Sequence, residues 1–283
     1  MKFDIEDIVD IILPSIKIDS GQGNGKITWD LYPEQRRILE ELLDTNNRNI
    51  LILKIRQIGI TTLCCLRICL FVLENPGTPI AIAAQDDKTA RKVSKQVKSI
   101  ATQIGLQIGL DNQKEFTLYV DPSLPKTQID VLTMNGTSAG RGNTYGLIIG
   151  TEAAYWKDSA DAWNALSNAV NAEAQIILES TASAQNSPFR ELWQRALPGW
   201  TRIFSGLQNH THYTNNPHDI TDQEWELYQR ELAMTSRPHA AFLHKKIAKS
   251  SKESALRDYP ILSAHAWSAT VGRAMPIDPV IAP

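Results

Sequence analysis

Lys54-Ile55-Arg56-Gln57-Ile58-Gly59-Ile60-Thr61-Thr62 has the frame of a phosphate-binding loop with its lysine displaced. In the usual signature, GxxxxGK[ST], backbone N–H groups surround the phosphates, the lysine reaches the β/γ oxygens and the hydroxyl meets Mg²⁺. Here Gly59 and Thr61 keep their places while Ile60 fills the lysine slot. Either the loop has lost its charge, or Lys54 or Arg56 supplies it from the loop's start. The apolar run Ile50 to Leu53 leads in, and Thr62 to Leu70 leads out as a helix-compatible segment, so the context is strand, loop, helix. A plain strand-turn-helix has the same outline, and the rest of the chain must separate the two.

Working outward, apolar strand-like runs alternate with helical patterns, the order of an α/β domain. The strands expected are Ile50 to Leu53, Pro79 to Ala84, Thr127 to Met134, Gly146 to Gly150 and Ala174 to Leu178, with helices at Thr61 to Leu73, Asp87 to Ile104 and Asp158 to Val170. Several of these strands lack polar alternation, which suits a parallel sheet covered on both faces. In a doubly wound sheet, ligands bind at the carboxyl ends of the strands, where the loop at Lys54 to Thr61 lies. Upstream, Leu31 to Leu43 reads as an amphipathic helix with Pro33 near its first turn, and Gly21-Gln22-Gly23-Asn24-Gly25 sets off an N-terminal segment. Beyond about Leu207 the chain is rich in His, Asn and Pro. A capping box, Thr221-Asp222-Gln223-Glu224, then opens a helix, and another is expected at about Pro238 to Lys249.

A chain of 283 residues, 42% hydrophobic and 21% charged, can bury a sizeable core and is not of disordered composition. Its formal net charge of -2 gives no hint of nucleic acid, so DNA binding would need a local basic patch or several subunits acting together. Cys64, Cys65 and Cys69 fall within two helical turns, a spacing of neither a disulfide framework nor a zinc site, and are expected to be buried helix residues of a reducing cytoplasm. The start does not read as a signal peptide, and no run approaches the roughly 20 apolar residues of a membrane helix, so a soluble intracellular protein is expected.

Two further strand ends carry chemistry. Gly146-Leu147-Ile148-Ile149-Gly150-Thr151-Glu152 is an apolar strand ending in an acid, the way many nucleoside triphosphatases place a carboxylate to position and deprotonate water. Glu152 fits that role, while Thr151 replaces the aspartate that ordinarily helps hold Mg²⁺. Ile176-Ile177-Leu178-Glu179-Ser180-Thr181-Ala182-Ser183 ends in small hydroxyl residues able to sense a γ-phosphate. Each has a bland alternative, a solvated acid or a serine-rich turn, but three such signals in this order at strand ends are jointly hard to dismiss.

Together they resemble the ATPase domain of the large terminase subunit of tailed bacteriophages, from about Trp29 to Phe204 and more weakly on to Tyr259-Pro260. The resemblance implies an α/β P-loop NTPase of the ASCE type, with a doubly wound, mostly parallel sheet and a small helical C-terminal subdomain. It implies residues 1–25 as an N-terminal segment, 26–206 as the ATPase core and 207–283 as a helical lid or linker, with the family's nuclease domain absent from the chain. ATP and Mg²⁺ are the implied cofactors. Lys54 or Arg56 would neutralise phosphate charge, as in family members whose lysine stands at the loop's start. Gln57, Gly59, Thr61 and Thr62 would cradle the nucleotide, and Thr61 with Thr151 would hold the metal, the latter directly or through water. Glu152 would activate water, and Ser180, Thr181 and Ala182 would couple hydrolysis to movement.

Tyr32-Pro33-Glu34-Gln35 resembles the family's adenine-contacting motif, with Tyr32 stacking on the base and Gln35 bonding its edges; surface residues at a helix start are the alternative. Ser138-Ala139-Gly140-Arg141-Gly142 resembles an element that supplies an arginine finger, although Arg141 could equally contact phosphate in its own subunit or form a salt bridge. Lys88, Arg91, Lys92, Lys95 and Lys98 form a basic helix face, either solvated or against a DNA backbone. His210 and His212 have a spacing open to a metal but no matching ligands. The implied function is the motor subunit of a packaging terminase in the bacterial host cytoplasm, translocating double-stranded DNA into a procapsid as a homo-oligomeric ring with the portal protein and the small terminase subunit. The rivals are a degenerate P-loop protein that binds nucleotide or a partner without turnover, and a helicase-like DNA translocase.

Overall fold

The structure, a computed structural model, describes residues 3–19, 25–134, 143–156, 159–183 and 186–268. The chain divides into two compact units: the first is Met1–Ile52, Gln57–Ser180 and Asn186–Ile203, the second Leu53–Arg56, Thr181–Gln185 and Phe204–Pro283.

The first unit opens with a helical turn, α1 (Ile5–Asp7), and a small antiparallel hairpin, β1 (Lys17–Asp19) and β2 (Lys26–Thr28). Helix α2 (Pro33–Leu43) starts as Pro33 allows, with Gln35 closing a capping box on the Tyr32 N–H. Then come β3 (Asn49–Lys54), α3 (Ile60–Glu74), β4 (Ile80–Ala84), α4 (Asp87–Gln103), β5 (Gln107–Asp111), β6 (Glu115–Tyr119), β7 (Thr127–Thr133), β8 (Tyr145–Thr151), α5 (Ala160–Ser167), β9 (Val170–Ser180), α6 (Pro188–Arg195) and β10 (Trp200–Ser205), the last two residues of β3 and of β10 falling in the second unit. Among the described residues the main sheet has the order β10-β3-β9-β8-β4-β7-β6-β5. Pairings β8·β9, β4·β8 and β4·β7 are parallel, whereas β6·β7 and β5·β6 are antiparallel.

Burial explains the two regimes. Strands β4 and β8 are buried at every residue, as parallel strands covered on both faces must be, and their sequences are accordingly unbroken apolar runs. Strand β6 alternates buried and half-buried residues, the pattern of an antiparallel strand packed on one face. The expectation of a mostly parallel sheet holds, with an antiparallel extension, β5 and β6, that lies outside the strands expected from sequence. Helix α3 is buried on nearly all sides, Leu63 through Val72 without exception. The three cysteines belong to this buried helix, and none is in a disulfide. Helix α4 buries one face, Ala90, Val93, Val97, Ile100 and Ala101, at helical spacing, and leaves its lysine face outward.

Arg67, inside α3, is a charged residue within this core. Its Nε donates to the Leu42 carbonyl and to Gln175 Oε1 at 3.1 and 3.0 Å, and Nη1 pairs with Glu74 at 2.9 Å. Burial pulls the guanidinium pKa down and Glu74 opposes the shift. A buried charge left without these partners would be strongly destabilising.

The second unit carries α7 (Asp222–Leu232), α8 (Arg237–Lys249), α9 (Lys252–Asp258) and α10 (Ser263–Ser268). The capping box expected at Thr221 is present, its hydroxyl accepting from Glu224 N at 3.2 Å. Tyr213, Phe242 and Tyr259 pack edge-to-face or tilted with centroids 5.2–5.9 Å apart, and the Lys246 ammonium lies 5.0 Å from two of these rings.

Candidate active site

The phosphate-binding loop is shaped by two residues with left-handed backbone. Gly59 has φ +75°, and Gln57 has φ 62°, an uncommon conformation for a residue with a Cβ. Gly59 is also a matter of space, because a Cβ there would stand 2.6 Å from Gln35 Nε2. Gln35 is itself fixed: its Oε1 accepts from the Tyr32 N–H at 3.1 Å and its Nε2 donates to the Ile58 carbonyl at 2.8 Å. The start of α2 is thus tied to the loop through one amide, and in this conformation Gln35 holds the loop while the half-exposed Tyr32 ring faces outward. Gly59→Ala is therefore expected to lower stability by about 1–2 kcal/mol from its left-handed backbone alone, with a further penalty from the contact. Thermal melts of Gly59→Ala, Gln35→Ala and the double variant check this, since removal of the Gln35 amide should return the contact part as a non-additive gain.

From Ile60 the chain enters α3, and Thr61 on its first turn donates from Oγ1 to Glu179 Oε1 at 2.9 Å. Thr151, the last residue of β8, donates to the same oxygen at 2.5 Å. The sheet makes this meeting possible, because β8 and β9 run parallel with Thr151 opposite Glu179. Thr151 and Glu179 are 1% and 0% exposed. Two residues singled out in the sequence, 90 positions apart, converge on an acid to which the sequence reading gave no role. Three hard oxygen donors on one spot are a set suited to Mg²⁺.

Glu152 follows on a left-handed turn, φ 49° and ψ 43°. A β8 strand that approaches its neighbours closely and a buried indole hold this turn. At Gly150 a Cβ would lie 2.4 Å from Leu178 Cδ2 and 2.7 Å from the Trp156 ring, and Trp156 Nε1 donates to the Thr151 carbonyl at 3.1 Å. Ser180 Oγ accepts from Ala154 N at 3.1 Å and donates to Glu152 Oε2 at 3.4 Å, a long bond. Thus Ser180 touches the turn that carries Glu152. Left-handed backbone at a non-glycine residue is uncommon and concentrates at functional sites.

A cleft of about 760 Å³ opens beside these groups. Gly59, Thr61, Thr62, Thr151 and Glu152 line one part of it, and Lys17, Lys26, Lys92 and Lys95 another. None of the four lysines is in an ion pair among the described residues. The basic face of α4 is thereby divided: Lys92 and Lys95 face the cleft, whereas Lys98 is bound to Asp111 at 2.6 Å and Arg91 Nε to the Asp87 carbonyl at 3.1 Å. Gln96, on the same side of α4 as Lys92, donates to Thr62 Oγ1 at 2.6 Å and fixes the two helices together at the loop. The lysines of β1 and β2 and Gln96 were not legible as site residues, since nothing in their local sequence points at the loop.

Lys54 is 5% exposed. Arg56, in the second unit, pairs through Nε with Asp258 Oδ1 at 3.1 Å, and its carbonyl accepts from Tyr213 OH at 3.1 Å. Thr181 and Ala182 are buried in the same unit. His210 bonds Ser205 Oγ through Nε2 at 2.9 Å, and among the described residues no cluster of His, Cys, Asp and Glu suited to a metal is found. Arg141 and its Gly-Arg-Gly segment lie outside the described residues.

A mostly parallel sheet with the order above, a loop leading into a buried helix, and an acid at the end of a strand one removed from it define the fold of a P-loop nucleoside triphosphatase. The chain belongs to the family of terminase large subunits, T4likevirus-type, N-terminal, which matches residues 51–247. Among solved structures it is similar to the ATPase domain of the large terminase of Thermus phage P74-26, at 12% identity and a TM-score of 0.55 over 78% of this chain and 91% of that one. The large terminase of bacteriophage HK97 is similar at 18% identity and a TM-score of 0.59, over 92% of this chain and 55% of that one. That of the thermophilic bacteriophage D6E, in complex with ADP, is similar at 12% identity and a TM-score of 0.54, over 71% and 50%. At such identities the likeness is one of fold, and the chain spans about half the length of the HK97 and D6E proteins. Among curated protein sequences none matches it significantly.

Proposed function

We propose that this chain is the ATP-hydrolysing motor domain of a packaging terminase, which drives double-stranded DNA into a procapsid. The convergence of Thr61, Thr151 and Glu179 beside Glu152 and the phosphate-binding loop carries this reading. ATP occupies the loop, with backbone N–H groups from Gln57 to Thr62 on its phosphates and Lys54 replacing the lysine absent at Ile60. Lys54 is the one lysine of the loop, and Arg56, paired with Asp258, is the alternative for that task. The lysines of the cleft add a positive field for the triphosphate end. Mg²⁺, held by Thr61 and Thr151, supplies neutralisation of charge at the β/γ oxygens when bound. Glu152 orients the attacking water and takes its proton, and Ser180, Thr181 and Ala182 pass the change at the γ-phosphate on to residues 207–283, a helical lid or linker. The D6E large terminase, similar in fold at a TM-score of 0.53, is also known in complex with ATP-γ-S, which supports ATP as the ligand. A homo-oligomeric ring working with the portal protein and the small terminase subunit is the assembly this function calls for.

Loss of both the loop lysine and the usual metal-binding aspartate favours one rival, a domain that binds nucleotide without turnover. Steady-state phosphate release, measured with and without linear double-stranded DNA, separates them. Mg²⁺-dependent turnover that DNA stimulates is expected. Tight ATP binding with no phosphate release under either condition would leave the non-hydrolysing reading standing.

A further inference from the structure

In P-loop ATPases a loop hydroxyl and an aspartate near the catalytic acid ordinarily hold the metal, and in this chain the aspartate's position is Thr151. We infer that Glu179, one strand over, supplies the missing carboxylate and holds the divalent cation together with Thr61 and Thr151. The inference rests on the proposed ATPase function.

Register carries the argument. Because Thr151 and Glu179 are direct partners in the parallel pair β8·β9, their side chains leave the sheet on the same face. Moving the acid from one strand to the other displaces it by the inter-strand spacing of about 4.8 Å, and a glutamate is one methylene longer than an aspartate. The carboxylate still ends on the loop hydroxyl. Thr61 Oγ1 donates to Glu179 Oε1 at 2.9 Å, and Thr151 Oγ1 donates to the same atom at 2.5 Å. A hydroxyl that lends its lone pair to a cation keeps its proton for an acceptor, and Glu179 Oε1 is already that acceptor for both. Its complete burial adds a chemical reason: withdrawing a carboxylate from water is costly, and a dication seated on it makes the position useful. The alternative is a purely structural link that ties Thr61 to Thr151.

The experiment measures ATP and ADP affinity of the full chain with a fluorescent nucleotide across a Mg²⁺ titration and in EDTA, and Mn²⁺ binding by electron paramagnetic resonance in the presence of ADP. For Glu179→Gln, the metal-free affinity should match the parent, while the Mg²⁺ midpoint rises by at least about tenfold and the bound Mn²⁺ signal falls. Adding Thr151→Asp to Glu179→Gln returns the acid to its ordinary strand and should restore the midpoint, an effect that a structural link does not produce. An unchanged midpoint in Glu179→Gln, or no restoration in a double variant with a parental melting curve, overturns the inference. If Glu179→Gln fails to fold, Glu179→Asp replaces it. The shorter acid should keep the Mg²⁺ response at a higher midpoint, and a midpoint equal to the parent's overturns the inference as well. A parent that shows no Mg²⁺-dependent ATP binding at all would instead overturn the proposed function.

Discussion

Glu152→Gln is expected to cut ATP turnover by ~10²–10⁴-fold, the range for loss of a general base, while ATP–Mg²⁺ binding stays near that of the parent. Glutamine keeps the length and shape of the side chain, and both residues place a Cβ on the same left-handed backbone. What changes is the capacity to accept a proton from water. The bond from Ser180 Oγ can be made to the amide oxygen as well as to the carboxylate, so the turn should keep its structure. Phosphate release and fluorescent-nucleotide binding, measured on the same preparation, check both halves of the statement. Turnover within a factor of about three of the parent's, far short of the general-base range, would mean that another group activates the water.

A larger effect is expected at Arg141. As an arginine finger reaching a neighbouring subunit's nucleotide, it would be worth ~10³–10⁵ in kcat, so activity per chain should rise steeply with assembly. Arg141→Ala should bind nucleotide normally and lose that rise. Mixing Arg141→Ala with Glu152→Gln gives the sharper measurement, since at a shared interface one chain contributes a working base and the other a working arginine. Activity recovered on mixing supports action between subunits. No recovery in an oligomer shown to contain both chains places Arg141 in its own subunit, on phosphate or in a structural pair.

The parts of the fold legible in sequence were those whose burial leaves a plain mark. Ile80 to Ala84 and the run through Gly150 are apolar throughout because both faces are covered. Gln107 to Asp111 left no such mark: mostly exposed and broken by Gly109, it pairs at the sheet's edge through β6 and owes its strand character to a partner rather than to its own pattern. The limits of α5 show the same dependence, since it runs from Ala160 to Ser167 and β9 begins at Val170, well ahead of the apolar run at Ala174. In the candidate site, Gly59, Thr61, Thr151 and Glu152 were legible because each stands at a fixed offset from a strand end. Glu179 was not: within Ile176-Ile177-Leu178-Glu179 it looks like the polar end of a strand, and its hydroxyl partners stand 118 and 28 positions away. Register between strands, which local sequence does not encode, brings them together.

The cysteines of α3 give this site one more property. Cys64, Cys65 and Cys69 sit on the helix that begins at the phosphate-binding loop, all within 1% of complete burial. Burial pushes the Cys65 and Cys69 thiols upward in pKa, so little thiolate is present to react. Oxidants and alkylating reagents therefore meet an inert surface for as long as α3 lies on the sheet, and the three sulfurs become reactive only when the helix behind the loop comes away. The unit that carries the phosphate-binding loop thus keeps its thiols from oxidation without any disulfide, through packing alone.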